Sequence, residues 1–356
     1  MKKIIKLLST GLLFTALALN FAACKSETDD SASNELAGNK YIASYDDGEF
    51  VYTYDFKDET CVFTSYEKTF GLSSLIQKDV FTNIEKSFSY TLDTNTGCII
   101  SKLKSIKTSY FIDGKVIYTE PKTLPTSLAD YKAEKGKFYK AIDSDLTEEE
   151  LSNLISTTYF AQGKNIGAID DSIYNNWKDS ENKRRKTEKE FYQVFAYKLK
   201  GNTLIISCEE ISYIPEGARF GEIFNGRYCY SFFDNGDEEY NYNRFNLFIN
   251  FSTINGEAES IYLGTKGSND YTMYTILEAT DDYMKIAEGD YQGGYYTYSE
   301  SPSQKINISY KEIKGGETAT IKINGETYSF DIDYTDKEYV DECLSDESET
   351  IISTKM

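Results

Sequence analysis

Apolar and polar residues alternate with a period of two along most of the chain, the pattern of half-buried strands. In "KYIASYDDGEFVYTY" (40–54) the pair Asp47-Gly48 has the composition of a two-residue type I′ hairpin turn. Pairing outward from it sets Tyr45 opposite Phe50, Ala43 opposite Tyr52 and Tyr41 opposite Tyr54, all on one face. "SFSYTLDTNTGCIISKL" (87–103) repeats the pattern around Asn95–Gly97, and "FIDGKVIYTE" (111–120) around Asp113-Gly114. These are meander signals, in which each strand is followed by its antiparallel neighbour.

The period changes over 121–189. There "DLTEEELSNLIS" carries a capping box, with Thr147 as the cap, Glu150 three residues on, and Leu146 able to staple onto Leu151. Leu151, Leu154 and Ile155 form one helical stripe, and Ile169, Ile173, Tyr174 and Trp177 form a second. Alternation resumes over 190–211 with Gly201-Asn202 as a turn, and "SYIPEGARFGE" (212–222) reads as a linker. The remainder is again strand-like. Its opening, "RYCYSFFDNGDEEYNY" (227–242), echoes 40–54, and "KINGET" (322–327) echoes "KLKGNT" (198–203). The two echoes imply a duplicated unit in which Tyr41 and Tyr228 occupy equivalent first strands. An extra residue between Ser231 and Asp234 calls for a β-bulge in the second copy.

The expected fold is mainly β: two tandem small antiparallel meander barrels, the first with a partly helical insertion. The expected boundaries are a leader at 1–23, a polar tether at 24–39, a first domain at 40–212 with its insertion at about 121–189, a second domain at 222–335, and an acidic tail at 336–356.

Composition narrows the chemistry. The chain has 38 Lys+Arg, 58 Asp+Glu and a formal charge of −20. Removal of 1–23 deletes Lys2, Lys3 and Lys6 and no acid, which takes the charge to −23. Such a chain is a poor partner for nucleic acid or anionic head groups, and "KRRK" at 183–186 reads as the solvated face of a charged segment. The count of His is 0, which excludes His-based nucleophile systems and imidazole-ligated metal. Ser-x-x-Lys occurs at Ser65–Lys68, Ser101–Lys104 and Ser180–Lys183 without the companion motifs of penicillin-binding enzymes. Cys61, Cys98, Cys208, Cys229 and Cys343 are widely spaced with no C-x-x-C, so they are expected to be mostly buried reduced thiols. The 31 Tyr and 21 Phe suit half-buried strands.

The segment "MKKIIKLLSTGLLFTALALNFAACKSE" has a basic start, an apolar run from Leu7 to Leu19 and small residues before Cys24, the layout of a secretory signal. "FAAC" at 21–24 resembles the lipobox of bacterial lipoproteins. The resemblance implies lipidation of Cys24, with acyl chains whose buried methylenes each contribute about 0.8 kcal/mol to anchoring. Lys25 stands where an Asp retains lipoproteins at the inner membrane, so an outer-membrane or cell-surface site is implied, periplasm-facing or exterior. The meander, with Gly226 and Tyr228 near the Gly-x-Trp pattern and "NDYTMY" (269–274) near Thr-Asp-Tyr, is similar to lipocalin-like domains of bacterial lipoproteins.

The function these features favour is a lipid-anchored envelope protein acting as a binding or interaction module. Its expected partners are the membrane, through Cys24, and a protein, glycan or small apolar ligand, without nucleic acid, cofactor, catalytic group or metal. The alternatives are a carboxylate-dependent glycan hydrolase and a structural envelope protein or enzyme inhibitor. Asp234, Asp237, Glu238 and Glu239 offer oxygens for calcium, but their spacing departs from an EF-hand loop and fits a solvated hairpin tip. A barrel with an aromatic-lined cavity of a few hundred Å³ favours ligand binding, whereas a filled interior favours surface-mediated interaction.

Overall fold

The computed structural model describes residues 34–142, 166–226, 228, 231–234, 246–251, 260–264, 271–292, 295–298, 302–346 and 348–356. The first strands are β1 (Lys40–Tyr45), β2 (Phe50–Phe56) and β3 (Thr60–Lys68). A short helix α1 (Phe70–Ile76) leads to the long hairpin β4 (Val80–Asp93) and β5 (Cys98–Ile112), followed by β6 (Lys115–Thr119). The pairings expected around Asp47-Gly48 are all present: Tyr45 faces Phe50, Ala43 faces Tyr52 and Tyr41 faces Tyr54. Turn chemistry is the cause. Asp47 and Gly48 both have positive φ, 54° and 94°, as a type I′ turn requires, and the Glu49 N–H closes the turn on the Asp46 carbonyl. Asp113 and Gly114, at φ 50° and 72°, make the same turn between Ile112 and Lys115.

Helices α2 (Leu128–Ile142) and α3 (Asp171–Glu190) then interrupt the sheet, as the change of period predicts. Ile169 and Tyr174 are buried, and with the partly buried Ile173 and Trp177 they pack against Tyr131, Phe138 and the ends of β5 and β6. The capping box at Thr147 and Glu150 lies outside the described residues. On α3 the basic run behaves as a solvated face. Arg184 and Arg185 both pair with Glu181, Arg184 also reaches Glu188, and Lys186 pairs with Glu190.

Strands β7 (Tyr192–Lys200) and β8 (Thr203–Ser207) return to the sheet. The strand that completes it comes from a distance. β18 (Thr350–Lys355) lies between β8 and β1, antiparallel to both. With the β4–β5 ladder, this closes an eight-stranded antiparallel barrel in the order β4-β3-β2-β1-β18-β8-β7-β5, with β6 as a side branch on β5. The acidic tail expected at 336–356 is therefore a helix, α5 (Lys337–Cys343), and a barrel strand. Its alternation is short and lacks a turn partner nearby, so the local pattern carries no sign of where it pairs.

Between β8 and β18 the chain builds a second, nearly closed barrel. It starts with α4 (Phe220–Gly226) and the strands β9 (Ser231–Asp234), β10 (Leu247–Asn250), β11 (Ser260–Gly264) and β12 (Tyr271–Ala279). It continues through β13 (Tyr283–Gln292), β14 (Tyr295–Tyr298), β15 (Gln304–Ile313), β16 (Gly316–Ile323) and β17 (Glu326–Asp333). Apart from β14, which pairs with β13, neighbours run β17-β16-β15-β13-β12-β11-β10-β9. Asp234 at the end of β9 accepts the Ser329 N–H of β17, which brings the two ends of that order together. Gly316 has no room for a side chain, because a Cβ there would stand 2.1 Å from the Ile332 carbonyl oxygen.

Three further expectations are corrected. Residues 212–222 are no linker: Ile214, Ala218 and Phe220 are fully buried, and Phe220 packs its ring on Phe232 and Phe330 at 4.9 and 5.3 Å. Tyr228 is not on a first strand equivalent to that of Tyr41, and Gly226 ends α4, so the Gly-x-Trp alignment fails. Tyr228 instead stacks on Tyr192 at 5.1 Å and meets the Tyr213 ring edge-on, joining the outer face of β7 to the start of the second barrel. Finally, the polar tether ends before Leu36, which is buried in the core of the first barrel.

Candidate functional site

The interior of the first barrel is built by alternation. On β2 the inward positions are Tyr54 and Phe56, and on β3 they are Cys61 and Phe63. On β4 they are Lys86, Phe88 and Tyr90, opposite Ile99 and Ser101 on β5. A register shift between Ser87 and Phe88 lets Lys104 stand as an extra residue on β5, so β4 keeps its phase while β5 changes face above it. Phe195 of β7, Ile206 and Ser207 of β8, Cys208, and Ile351 of β18 complete the wall. Together these side chains surround a cavity of about 130 Å³.

The floor is closed. Phe56 packs edge-on to Tyr90 at 5.3 Å, and the Tyr90 hydroxyl donates to the Lys57 carbonyl while accepting from the Asn34 side chain, both at 2.8 Å. Leu36 lies beneath, held where the Gly38 N–H bonds the Phe56 carbonyl and the Phe56 N–H bonds the Asn39 carbonyl. The tie is completed by the Tyr197 hydroxyl, which donates to Glu35 at 3.0 Å. At the other end β8 finishes at Ser207, and the exposed Cys208 marks the mouth.

Most polar groups of the wall are satisfied internally. Ser101 Oγ donates to the Gln193 carbonyl at 2.8 Å, and Ser207 Oγ accepts the Ala196 N–H and donates to the Glu209 carbonyl. Of the Ser-x-x-Lys serines, Ser101 lies on this wall, and its hydroxyl proton is committed to the Gln193 carbonyl. Two groups differ. Tyr54 Oη makes no hydrogen bond among the described residues, and burial, then the neighbouring Cys61 thiol, push its ionisation upward. Lys86, half-buried, has no carboxylate within ion-pair distance among the described residues. Its charge reaches Glu210, whose carboxyl is lifted by burial and pulled back by the Gln193 hydrogen bond and by Lys86. Burial pushes the Cys61 thiol up to about 12 and also raises Cys208, where Glu209 and Glu349 add to the effect.

Of the sequence candidates, Cys24 lies outside the described residues, as do Asp237, Glu238, Glu239 and Cys229. Among the described residues no group of three or more His, Cys, Asp or Glu is placed to hold a metal ion, and no helix is long and apolar enough to cross a membrane. Cys61 and Cys98 are buried free thiols as expected, whereas Cys208 is exposed and Cys343 partly so. Among the described residues that line the cavity there is no Asp or Glu.

No protein-family model, curated protein or solved structure matches the chain. Sequence reasoning located the strands that form the site but not Lys86, Tyr54 or the cavity. The available signal was Lys86 itself, a lone cation in phase with Ile84, Phe88 and Tyr90 on β4.

Proposed function

We propose that the protein is a lipid-anchored binding protein of the bacterial envelope whose first barrel holds a small, largely apolar ligand. The observation that carries this reading is the aromatic-lined cavity inside a closed barrel. Its volume of about 130 Å³ is below the range of drug-sized sites. It is close to the roughly 150 Å³ apolar cavity that takes up benzene in an engineered protein. One aromatic ring or a short acyl chain is therefore the appropriate size class. In the second barrel, Phe220, Ile223 and Phe224 of α4 pack among Phe232, Phe251 and Phe330 in one buried apolar core.

Titration of the full chain with toluene, followed by NMR shifts of the aromatic and Ile methyl signals, tests the cavity. Saturable shifts confined to wall residues such as Ile99, Ile206 and Ile351 support it, and no saturable binding refutes it. Anchoring is a separate claim. Metabolic labelling with palmitate should mark the protein and be lost in Cys24→Ser. Protease treatment of intact cells then separates a surface location from a periplasmic one.

A further inference from the structure

We infer that the first barrel selects a small monocarboxylate: an apolar ring or short chain inside the cavity, with its carboxylate held by Lys86 and the Tyr54 hydroxyl. The inference rests on the reading of the barrel as a binding cavity and adds the chemical class of its occupant.

A half-buried cation on the wall of an apolar cavity, with no carboxylate in ion-pair distance, is available to a ligand's counter-charge. Lys86 is the only charged side chain on this wall, and no carboxylate lies within 4.0 Å of it among the described residues. Tyr54 is the second unmatched donor, since its hydroxyl bonds nothing among the described residues while those of Tyr90, Ser101 and Ser207 are all engaged. A carboxylate offers two acceptor oxygens and one negative charge, which balances two donors and one positive charge. A phosphate monoester brings close to two charges and a third acceptor oxygen, for which the wall supplies no further free donor. The chain's net charge of −20 repels anions at long range, so attraction has to be local to the cavity. Glu210 is the competing group. Its carboxyl already feels Lys86, and a docked ligand carboxylate would take over as the counter-charge.

The test compares three probes of one shape, p-toluate, p-cresol and toluene, on the full chain at neutral pH by ligand-observed NMR. p-Toluate should bind about tenfold more tightly than toluene, in line with one or two charge-assisted hydrogen bonds. Lys86→Met should bring the p-toluate/toluene affinity ratio to near one, and Tyr54→Phe should lower it. Glu210→Gln should raise it by removing the competing carboxylate. If Lys86→Met does not fold, Lys86→Gln and Glu210→Gln still give the two opposite changes in ratio. Toluene or p-cresol binding as tightly as p-toluate overturns the carboxylate assignment while leaving the cavity reading intact. Failure of all three probes to bind removes the cavity reading itself.

Discussion

Ile214 and Thr335 exchange two hydrogen bonds: the Ile214 N–H donates to Thr335 Oγ1 at 2.8 Å, and the Thr335 N–H donates to the Ile214 carbonyl at 3.0 Å. The points where the chain enters and leaves the second barrel are thus fastened together, 121 residues apart in sequence. The second barrel is a closed excursion between β8 and α5. Replacing 216–333 by a short Gly/Ser linker should leave the first barrel folded, with β18 still paired and the toluene titration unchanged. Loss of a cooperative melt in the excised protein would show instead that the second barrel supports the first.

Leu36 tests whether the segment before β1 belongs to the fold. It is fully buried under the barrel floor. Leu36→Ala should cost about 2–5 kcal/mol, as buried Leu→Ala changes do, measured by urea unfolding. A loss below about 0.5 kcal/mol, the range of ordinary surface substitutions, would mean that the floor forms without it.

Arg219 and Glu317 form a bidentate pair, with Nε and Nη2 each 2.7 Å from a carboxylate oxygen, and the guanidinium lies 4.6 Å from the centre of the Tyr310 ring. The Arg219 hydrogen bonds hold the Glu317 carboxyl below its ordinary range. A depressed carboxylate pKa contributes stability that is complete above the unfolded value, about 4.3, and disappears as pH falls through the folded value. Because Arg219 is 42% exposed, Glu317→Gln should cost only about 1 kcal/mol at pH 7. The gap to the unmodified protein should close below about pH 4. A gap that widens on acidification would refute the assignment.

Thiol labelling reports on the cavity mouth. Cys208 is exposed, whereas Cys61 and Cys98 are buried, with their thiols pushed up to about 12 and about 11. Peptide mapping after brief alkylation at pH 8 should find Cys208 modified well before Cys61 and Cys98, which should wait for unfolding. Saturating toluene should slow Cys208, because its side chain lines the site. Equal rates with and without toluene would place the ligand elsewhere.

How much of this was legible in the sequence depends on distance along the chain. The register of Tyr41, Ala43 and Tyr45 against Tyr54, Tyr52 and Phe50 followed from one Asp-Gly turn, because a tight turn dictates every pairing outward from it. The hairpin at Gly201-Asn202, between Lys200 and Thr203, was legible for the same reason. Leu36, Tyr228 and β18 were not. Leu36 is one apolar residue among polar ones, and only the Phe56 and Tyr197 contacts reveal what it covers. Tyr228 sits in a stretch that resembles 40–54 in composition, yet α4 runs up to Gly226 and uses the approach that a strand would need. The cavity was illegible in principle, since alternation tells which side chains point inward but not whether they fill the space.

The placement of β18 sets an order of events in biosynthesis. Domains of a growing chain generally fold as units, those nearest the start first. Here β1 to β8 emerge early, but β1 and β8 each keep an unsatisfied edge until residues 350–355 arrive. Exposed strand edges invite pairing with other chains. The second barrel, whose own ladders need nothing from outside 214–335 among the described residues, can therefore be complete while the first is still open. The nascent protein passes through an aggregation-prone stage that ends only when its final ladder zips. A stop codon ahead of Thr350 would make that stage permanent, and would leave the ligand chamber without Ile351 in its wall.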